Sequence, residues 1–480
     1  MDKMTADQFK KIQTQISDSH IEMIDLKFVD LHGKFRHVTL PVKSFNESVL
    51  EEGVGFDGSS VGFKSVKSGD MCLIPDLTTS FMDPFWDVPT ISLFCNIVEA
   101  DTRIPFIGDP RSIAIRALSY LGESGIGSEV YILPEFEFNI FDSVVYQTDP
   151  HESYFQISSR ESTRCSRDFD SPMPGFWIPH QSGYHYAPPS DAFKDIRTTI
   201  VNHASNLGID VKYHHHEVGA SGQQEIELTL SSMIKACDQS MLLRYIIKNE
   251  VLAHGLTATF MPKPILGEAG NGMHVHMRLA GQADEPVFYD PNDELGLSEI
   301  AYCFIGGIIT HGRSLAAFTN PSTNSYRRLI KGFEAPTNLF FSLGSRNSAI
   351  RIPKYATAPE KKRFEFRSPD ATCNIYFAIS AMLMAGLDGV KNGIHARENL
   401  WGPFNDINHL SKKQIRNIPT LPESLEEALE YLSKDNGYLK AGGVFTNELI
   451  NGWRKIKSEK EVIPIKNSPT PLEYSLYFNC

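Results

Sequence analysis

The chain has 480 residues, of which 41% are hydrophobic and 11% aromatic, as in ordinary globular proteins. Its formal net charge of -12 argues against a nucleic-acid partner, because such partners need basic surface to replace counterions. No apolar run approaches the roughly 20 residues that would span a membrane, so we expect no membrane partner.

Seven cysteines are scattered along the chain without a C-x-x-C pair. This pattern favours reduced thiols over a zinc site or a disulfide framework. The N-terminus is polar and helical in period rather than signal-like. Together these features predict a cytoplasmic protein.

The N-terminal part is predicted to contain one short helix and several strands. A Gly- and Ser-rich stretch, residues 54–70, is predicted to be a loop, with Asp57 at a turn-prone Asp-Gly step. The prolines within residues 103–112 indicate a domain boundary. The predicted elements are a helix at 5–17 and strands at 23–30, 34–40 and 90–98.

Three further helices are predicted from apolar periodicity, at about 110–122, 191–204 and 231–254. Ser190 is the predicted N-cap of the second, and Gly255 ends the third. Residues 142–182 show no periodic pattern, so we expect irregular structure there.

Four predicted strands combine an apolar face with a strongly ionised one. Period-2 alternation places their charged or imidazole side chains together on one face of each strand. The stretch 213–230 carries Glu217, Glu225 and Glu227. The other three strands contribute Glu135 and Glu137 from 129–141, His274, His276 and Arg278 from 273–279, and Arg363, Glu365 and Arg367 from 363–367.

A half-buried strand usually turns its polar face to water, and that alternative stays open for each strand taken alone. These faces, however, hold Glu, His and Arg almost exclusively. Carboxylates and imidazoles suit divalent ions, and arginines grip phosphate and carboxylate oxygens. The combination is typical of phosphoryl transfer from a metal nucleotide. A phosphate loop at residues 58–65 is excluded, because Phe63 stands where the motif needs Gly before the Lys.

Seven motifs in order resemble those of one family, glutamine synthetase of type I. The match extends in register from about residue 20 to the C-terminus. The motifs are FDGSS at 56–60, PEFEF at 134–138, HHEVGASGQQE at 215–225, GNGMHVHM at 270–277, NPSTNSYRRL with KGFEAP at 320–336, SRNSAIRIP at 345–353 and RFEFRSPD at 363–370.

The resemblance implies an α+β fold with a small N-terminal β-grasp domain, residues 1–107, and a large catalytic domain, residues 108–480. The catalytic domain would contain a curved antiparallel sheet, a half-barrel, backed by helices. The family also implies a homo-oligomer, a dodecamer of two stacked hexameric rings, with active sites between adjacent subunits.

The implied activity is the ATP-dependent ligation of glutamate and ammonia through γ-glutamyl phosphate. Two or more Mg²⁺ or Mn²⁺ ions are expected, one held by Glu137, Glu217 and Glu225 and another by Glu135, His274 and Glu365. The family pattern gives Glu227 no ligand role. The resemblance assigns Gly270, Arg328, Glu334, Arg346 and Arg367 to glutamate, and Lys212, His276, Arg351 and Arg363 to the nucleotide. The remaining histidines of the run are interpreted as nucleotide-side or packing residues.

Three catalytic roles are implied by the same resemblance. Asp57, donated by the neighbouring subunit, would bind ammonium and remove a proton, since ammonia is mostly protonated at neutral pH. Glu334 matches the flap that closes over the site. Arg346 matches a contact to the transferring group.

Departures from the family pattern suggest further hypotheses. Ala269 stands where an asparagine usually helps to hold glutamate, and Asn271 is a candidate substitute. Arg278 replaces a small residue near the adenine. Phe404 lies near the position of the tyrosine that adenylylated enzymes modify, which predicts a non-adenylylated variant. A glutamate–amine ligase, for example for a polyamine, and a catalytically inactive structural relative are the alternatives.

Overall fold

The computed structural model describes residues 3–162, 175–330 and 335–480. The strands in chain order are β1 (Met23–Val29), β2 (Phe35–Pro41), β3 (Val54–Asp57), β4 (Asp70–Pro75), β5 (Phe81–Met82), β6 (Thr90–Glu99), β7 (Glu129–Phe141), β8 (Ser143–Asp149), β9 (Glu152–Ser158), β10 (Val211–His216), β11 (Gln223–Leu228), β12 (Ser231–Ser232), β13 (Thr257–Thr259), β14 (Met273–Ala280), β15 (Phe341–Leu343), β16 (Ile350–Ile352) and β17 (Phe364–Phe366).

The helices in chain order are α1 (Lys3–Asp18), α2 (Glu47–Glu51), α3 (Pro110–Ser124), α4 (Lys194–Asn206), α5 (Met233–Ala253), α6 (Glu299–Thr319), α7 (Ser325–Arg328), α8 (Ile375–Lys391), α9 (Lys412–Asn417), α10 (Leu425–Lys434), α11 (Gly437–Lys440), α12 (Asn447–Lys457), α13 (Ile463–Asn467) and α14 (Pro471–Tyr477). Within the described ranges, no helix is long and apolar enough to cross a membrane.

The N-terminal strands form one sheet with its own core. Its order is β2-β1-β6-β4-β3, with β5 paired to β6, and only the β1–β6 pair is parallel. Alternate residues such as Leu26, Leu73 and Leu93 are fully buried in this core. The predicted loop at 54–70 is wrong in part, because Val54–Asp57 pairs with β4 as a short strand.

The second sheet has the order β10-β11-β7-β14-β17-β16-β15, and β12 and β13 also pair with β7. Its ladders are antiparallel except that of β15 with β16. Helices α3 and α5 contact β7, and α3, α5 and α6 contact α8. The four strands with ionised faces are therefore neighbours, in the order β11, β7, β14 and β17, with helices packed behind them.

Two sequence predictions outside the two large sheets are wrong in part. The predicted irregular stretch 142–182 forms the hairpin β8–β9 over residues 143–158. Most of its side chains on both faces are exposed, so it lacks the apolar alternation that reveals a strand. Residues 175–182 are irregular as predicted, and residues 163–174 lie outside the described residues. Helix α4 begins at Lys194 rather than Asp191, and Ser190 is not its cap. The Asp191 carboxylate instead accepts two hydrogen bonds from the Arg197 guanidinium.

Candidate active site

The ionised faces of β7, β11, β14 and β17 line one cavity of about 400 Å³. On the opposite face of β7, Phe136 and Phe138 are fully buried in the core. Alternation along the strands therefore delivers their charged side chains to a single site. Of the predicted residues, the cavity wall contains Glu135, Glu137, Glu217, Glu225, Gly270, His274, Arg328, Arg346, Arg351, Glu365 and Arg367.

The strand register places like charges side by side. In the antiparallel ladder of β11 with β7, Glu225 lies opposite Glu137, and Glu227 lies opposite Glu135. Carboxylates directly opposite one another repel and destabilise a sheet. Positive charge must therefore be supplied to each of these two pairs.

Glu135, His274 and Glu365 form a buried cluster, the deep group, whose ligand atoms lie within 4.8 Å of one another. His274 Nδ1 lies 2.9 Å from Glu135 Oε2 and 3.7 Å from Glu365 Oε1. Burial alone would raise the pKa of Glu365, but the Arg367 guanidinium beside it brings that pKa below its usual value. Arg351 also donates a hydrogen bond to Glu365. The deep group is therefore supplied with positive charge by the protein itself.

His215, Glu217 and Glu225 form a second cluster, the outer group, again with ligand atoms within 4.8 Å of one another. His215 Nδ1 lies 3.6 Å from Glu217 Oε2, and its Nε2 lies 3.6 Å from Glu225 Oε1. Burial raises the pKa of Glu225, and repulsion from Glu135 and Glu137 adds to the rise against the hydrogen bond from His215. Burial lowers the pKa of His215, but Glu225 raises it above its usual value, so His215 is one source of positive charge in the outer group and a divalent cation would add to it.

His215 is the member of this group that sequence reasoning missed, because the histidine run was interpreted as nucleotide contacts or packing. In the structure His214 contacts Arg197, and His216 is buried against Glu161, so these two are packing residues. His215 instead faces the carboxylates. The available signal was its position on β10, opposite Glu225 of β11 in the ladder.

Glu137 lies between the two groups. Its Oε2 accepts a hydrogen bond from Gly272 N at 2.7 Å, and its Oε1 lies 3.6 Å from His274 Nε2. Across the ladder it faces Glu225 of the outer group. Carboxylate oxygens and imidazole nitrogens are donors that Mg²⁺ and Mn²⁺ accept. The residues present therefore fit two divalent ions, with Glu137 adjacent to both positions.

The predicted nucleotide residues surround the deep group. Arg351 lines the cavity, and its buried Nε has no hydrogen-bond partner within the described ranges. Arg363 Nε donates to His276 Nδ1 at 3.3 Å, and His276 Nε2 lies 2.7 Å from Glu135 Oε1. Of the four predicted nucleotide residues, Arg351 is among the described residues that line the cavity, whereas Lys212, His276 and Arg363 are not.

Glu227 is the carboxylate to which the resemblance gives no ligand role. It is fully buried, and Lys212 Nζ donates to its Oε1 at 2.6 Å. Lys212, predicted to be a nucleotide residue, is therefore anchored by Glu227.

The comparisons with known proteins agree with this geometry. Residues 107–477 match the description "Glutamine synthetase, catalytic domain", and residues 20–100 match "Glutamine synthetase, beta-Grasp domain". The chain belongs to the glutamine synthetase family. It is 42% identical to a glutamine synthetase of Streptomyces filamentosus over 98% of both chains, and 42% identical to one of Pseudomonas aeruginosa over 97% of this chain and 98% of the other.

A solved structure of a glutamine synthetase confirms the fold, which comprises a β-grasp domain and a catalytic domain of mixed sheets and helices. The cryo-EM structure of the Plasmodium falciparum glutamine synthetase superposes with a TM-score of 0.88 at 28% identity, over 96% of both chains. A structure titled "Apo GmaS without ligand" superposes with a TM-score of 0.78 at 24% identity, over 97% of this chain and 98% of the other, which shows the shared fold alone.

Three of the residues that the family pattern assigns to glutamate are built tightly into the wall. Arg328 donates to the carbonyl oxygens of Ser368, at 2.8 Å, and of Arg367, at 3.1 Å. A Cβ at Gly270 would lie 2.8 Å from Arg328 Cγ and 2.5 Å from the carbonyl oxygen of Pro262. Position 270 therefore requires glycine if Arg328 is to stay in place.

Arg346 is the most exposed of the predicted glutamate residues that the structure describes. Its guanidinium lies 5.5 Å from the centre of the Tyr184 ring, and its carbonyl oxygen accepts a hydrogen bond from Arg367 Nε at 3.1 Å. The hydrogen bond from buried Arg367 thus holds the backbone at Arg346, while the exposed side chain of Arg346 lies at the mouth of the cavity.

The two predicted acid residues are placed differently. Asp57 lies in the N-terminal sheet and is exposed; it is not among the described residues that line the cavity of its own chain. Its carboxylate accepts hydrogen bonds from Ser60 Oγ at 2.6 Å and from Ser59 Oγ at 2.7 Å, and these bonds lower its pKa. Glu334 lies outside the described residues, next to Ala335, which lines the cavity.

The departures from the family pattern also have defined positions. Ala269 lines the cavity. Asn271, the candidate substitute for the missing asparagine, is buried, and its amide is engaged within the protein: Nδ2 donates to Asn139 Oδ1 at 2.7 Å, and Oδ1 accepts from Gln223 Nε2 at 3.0 Å, which weighs against the substitution. Arg278 is buried and pairs with Asp284 at 2.9 Å, and its effect on the nucleotide remains a prediction.

Proposed function

We propose that the protein is a glutamate–ammonia ligase, a glutamine synthetase that forms L-glutamine from L-glutamate, ammonia and ATP through γ-glutamyl phosphate. The observation that carries this proposal is the single cavity in which two carboxylate–imidazole groups face a row of arginines. Such a cavity positions and neutralises several anions at once, which is the main task in phosphoryl transfer.

The proposed metal ligands are Glu135, His274 and Glu365 for one ion and Glu137, Glu217 and Glu225 for another, with His215 as an addition from the structure. Mg²⁺ or Mn²⁺ bound there would act as a Lewis acid on phosphoryl oxygens. Two or more ions per site are proposed.

Different arginines are proposed to bind the nucleotide and the glutamate. Arg351 and Arg363, with Lys212 and His276, are proposed to hold the nucleotide phosphates. Arg328, Arg346 and Arg367, with Gly270 and Glu334, are proposed to hold glutamate and its γ-glutamyl phosphate. A guanidinium can grip two oxygens at once, and it acts most strongly where charge develops in the transition state.

Asp57 is proposed to bind ammonium and to remove one of its protons, so that the free amine displaces phosphate. Its lowered pKa keeps it ionised at neutral pH and ready to bind a cation. Because Asp57 is not among the described residues that line the cavity of its own chain, a neighbouring subunit is the proposed donor. Replacing Asp57 with alanine is expected to slow ammonia use far more than γ-glutamyl phosphate formation, and equal loss of both steps would contradict the assignment.

A homo-oligomer, a dodecamer of two hexameric rings, is proposed on the same basis. The last helix supports an oligomer because apolar side chains in it and just after it face solvent in the single chain: Leu472 and Leu476 within the helix, and Phe478 at its C-cap. The division into domains at residue 107 is proposed as well, supported by a hydrophobic core whose buried residues all lie before that position. A cytoplasmic location remains a prediction from the sequence.

Absence of adenylylation is also proposed, since Phe404 has no phenolic oxygen to accept AMP. An adenylyltransferase is expected to leave the mass of the protein unchanged. A stoichiometric AMP adduct would contradict this proposal.

A second candidate is a glutamate–amine ligase of the same fold. It is favoured by Ala269, which offers only a methyl group to the cavity, while Asn271 is engaged in the wall. Phosphate release from ATP with glutamate and ammonium, and then with amines in place of ammonium, separates the two. Activity with amines but not with ammonium would contradict the first candidate, the glutamate–ammonia ligase.

A further inference from the structure

One buried pair beside the outer group has no role in the mechanism above. His216 lies between His215 and Glu217 in the chain, and alternation along β10 turns its imidazole away from the outer group. Its Nε2 lies 3.0 Å from Glu161 Oε2, and both side chains are fully buried. Neither is among the described residues that line the cavity. Any effect of the pair on the site must therefore pass through the residues that it contacts.

Glu217 is the member of the outer group that lies outside the strand ladder. His215 and Glu225 lie opposite each other in the ladder of β10 with β11, and His216 forms its last pair. Glu217 follows that pair, and its N–H donates to the carbonyl oxygen of Gln223 at 2.8 Å. A metal ligand at such a strand end needs further contacts to keep its geometry.

The imidazole of His216 supplies such a contact. Its Nδ1 lies 2.6 Å from the carbonyl oxygen of Glu217 and 3.0 Å from that of Gly183. Carbonyl oxygens only accept hydrogen bonds, so Nδ1 carries a proton and shares it between the two. A single N–H thus ties the backbone of a proposed metal ligand to a second segment of the chain.

The second segment lies against the end of β10. Gly183 N donates to the carbonyl oxygen of Val218 at 2.9 Å. A Cβ at position 183 would lie 2.5 Å from the carbonyl oxygen of Glu217 and 2.6 Å from His216 Cε1, so the close approach requires glycine. The next residue, Tyr184, lines the cavity. The contact between the two segments is therefore part of the cavity wall.

Glu161 holds the imidazole from its other end. While its Oε2 is bonded to His216, its Oε1 accepts a hydrogen bond from Ala192 N at 2.7 Å. The carbonyl oxygen of Glu161 accepts another from Ile178 N at 3.0 Å. Both ring nitrogens and both carboxylate oxygens are thus engaged. A buried polar network whose members are all satisfied is rigid, so the imidazole has one orientation.

We propose that His216 and Glu161 are positioning residues that hold the backbone of Glu217, and so its carboxylate, where the outer group binds a divalent ion. The inference deepens the proposed function and rests on it for the ion of the outer group. The deep group needs no such pair, because its three ligands lie within the ladders of β7, β14 and β17. Loss of the N–H at Nδ1 would release Glu217 and weaken the ion without removing any ligand.

The test is the affinity of the intact oligomer for Mn²⁺ without nucleotide or glutamate, obtained from free Mn²⁺ by electron paramagnetic resonance. The outer-group affinity is the part of the binding curve that Glu225→Gln removes. His216→Gln keeps an amide near the position of Nε2 but loses the donor at Nδ1. We expect it to weaken the outer-group affinity by about 10–100-fold. His216→Asn places its amide nitrogen near the position of Nδ1 and is expected to keep an affinity close to that of the wild type.

A matched histidine separates positioning from general stability. His311 on α6 is also buried between carboxylates, with Nδ1 2.9 Å from Asp435 Oδ2 and Nε2 3.0 Å from Asp388 Oδ2. It is not among the described residues that line the cavity. His311→Gln is expected to unfold at a lower temperature than the wild type but to bind Mn²⁺ with the same affinity.

A glycine variant tests the same contact with both side chains of the pair in place. Gly183→Ala is expected to weaken the outer-group affinity, because its Cβ would displace the carbonyl oxygen of Glu217. Gly122→Ala is the control, since a Cβ there meets no atom within 4 Å, and it is expected to bind Mn²⁺ as the wild type does.

Unchanged outer-group affinity in His216→Gln would overturn the inference, as would an equal loss in His216→Asn or His311→Gln. If His216→Gln does not assemble, Gly183→Ala decides: a weakened affinity supports the inference and an unchanged one overturns it. A binding curve that Glu225→Gln leaves unchanged also overturns it. Ammonium-dependent phosphate release by the wild type tests the proposed function separately. Turnover with equal Mn²⁺ affinities in all variants would defeat only the inference, and the expected affinities without turnover would defeat only the proposed function.

Discussion

The deep group and the outer group use the same kinds of side chain but have opposite charge balance. The deep group is built on three adjacent strands, and Arg351 and Arg367 both donate to Glu365. The outer group ends in Glu217, which follows β10, and His215 is the imidazole beside its carboxylates. The pKa of Glu365 is lowered, whereas burial and carboxylate repulsion raise that of Glu225. The deep group is thus preassembled by the protein, whereas we expect the outer group to depend on an added cation.

Replacing Glu365 is expected to have the largest effect, because Glu365→Gln leaves two buried guanidinium groups without their shared carboxylate. Breaking a buried charge pair costs about 3–5 kcal/mol of stability. Removing a group that stabilises the transition state costs on the order of 10²–10³-fold in kcat. Thermal unfolding without metal and steady-state phosphate release measure the two losses. A stability equal to that of the wild type would show that the deep group is not held by its arginines.

Replacing Glu225 is expected to reduce activity as strongly but to affect stability in the opposite sense. A carboxyl whose folded pKa is raised loses stability as pH rises from its unfolded pKa through its folded pKa. At pH 7 without metal, Glu225→Gln is therefore expected to unfold at the same temperature as the wild type or higher.

Added Mn²⁺ is expected to reverse that order, because an ion that binds only the folded wild type stabilises it by about 2.7 kcal/mol at 100 times Kd. Glu365→Gln serves as the comparison variant in the same scans. If metal-free Glu225→Gln unfolds at a lower temperature than the metal-free wild type, the Glu225 carboxylate does not destabilise the outer group. That result would contradict the contrast between the deep and outer groups.

Metal removal is expected to give the smallest effect, confined to one part of the sheet. In hydrogen exchange, amides of residues 214–223 are expected to exchange faster after chelation, while those of β14 and β17 change little. The reason is that the outer group loses its only added cation, whereas Glu365 keeps its arginines. Equal acceleration in both regions would mean that the two groups depend alike on metal.

Much of the site could be predicted from the sequence, because alternation along β7, β11, β14 and β17 places charge on one face and Phe, Ile or Met on the other. The exposed strands β8 and β9 lack this alternation of charged and apolar residues, so the sequence does not predict their hairpin. The pairing of Lys212 with Glu227 depends on a bulge, which shifts the alternation on which the prediction rests. The inward bonds of Asn271 depend on Asn139 and Gln223, which lie far away in sequence. Such contacts exist only in the folded chain.

The most direct test of the account is the fate of nitrogen in a reaction of the purified protein with ATP, glutamate, Mg²⁺ and ¹⁵N-ammonium. We expect one ¹⁵N-amide of glutamine, seen by NMR, for each phosphate released, with Glu365→Gln and Glu225→Gln both reduced by on the order of 10²-fold or more. Phosphate released without labelled glutamine, or full activity in both variants, would contradict the assignment of this cavity as the site of glutamine synthesis.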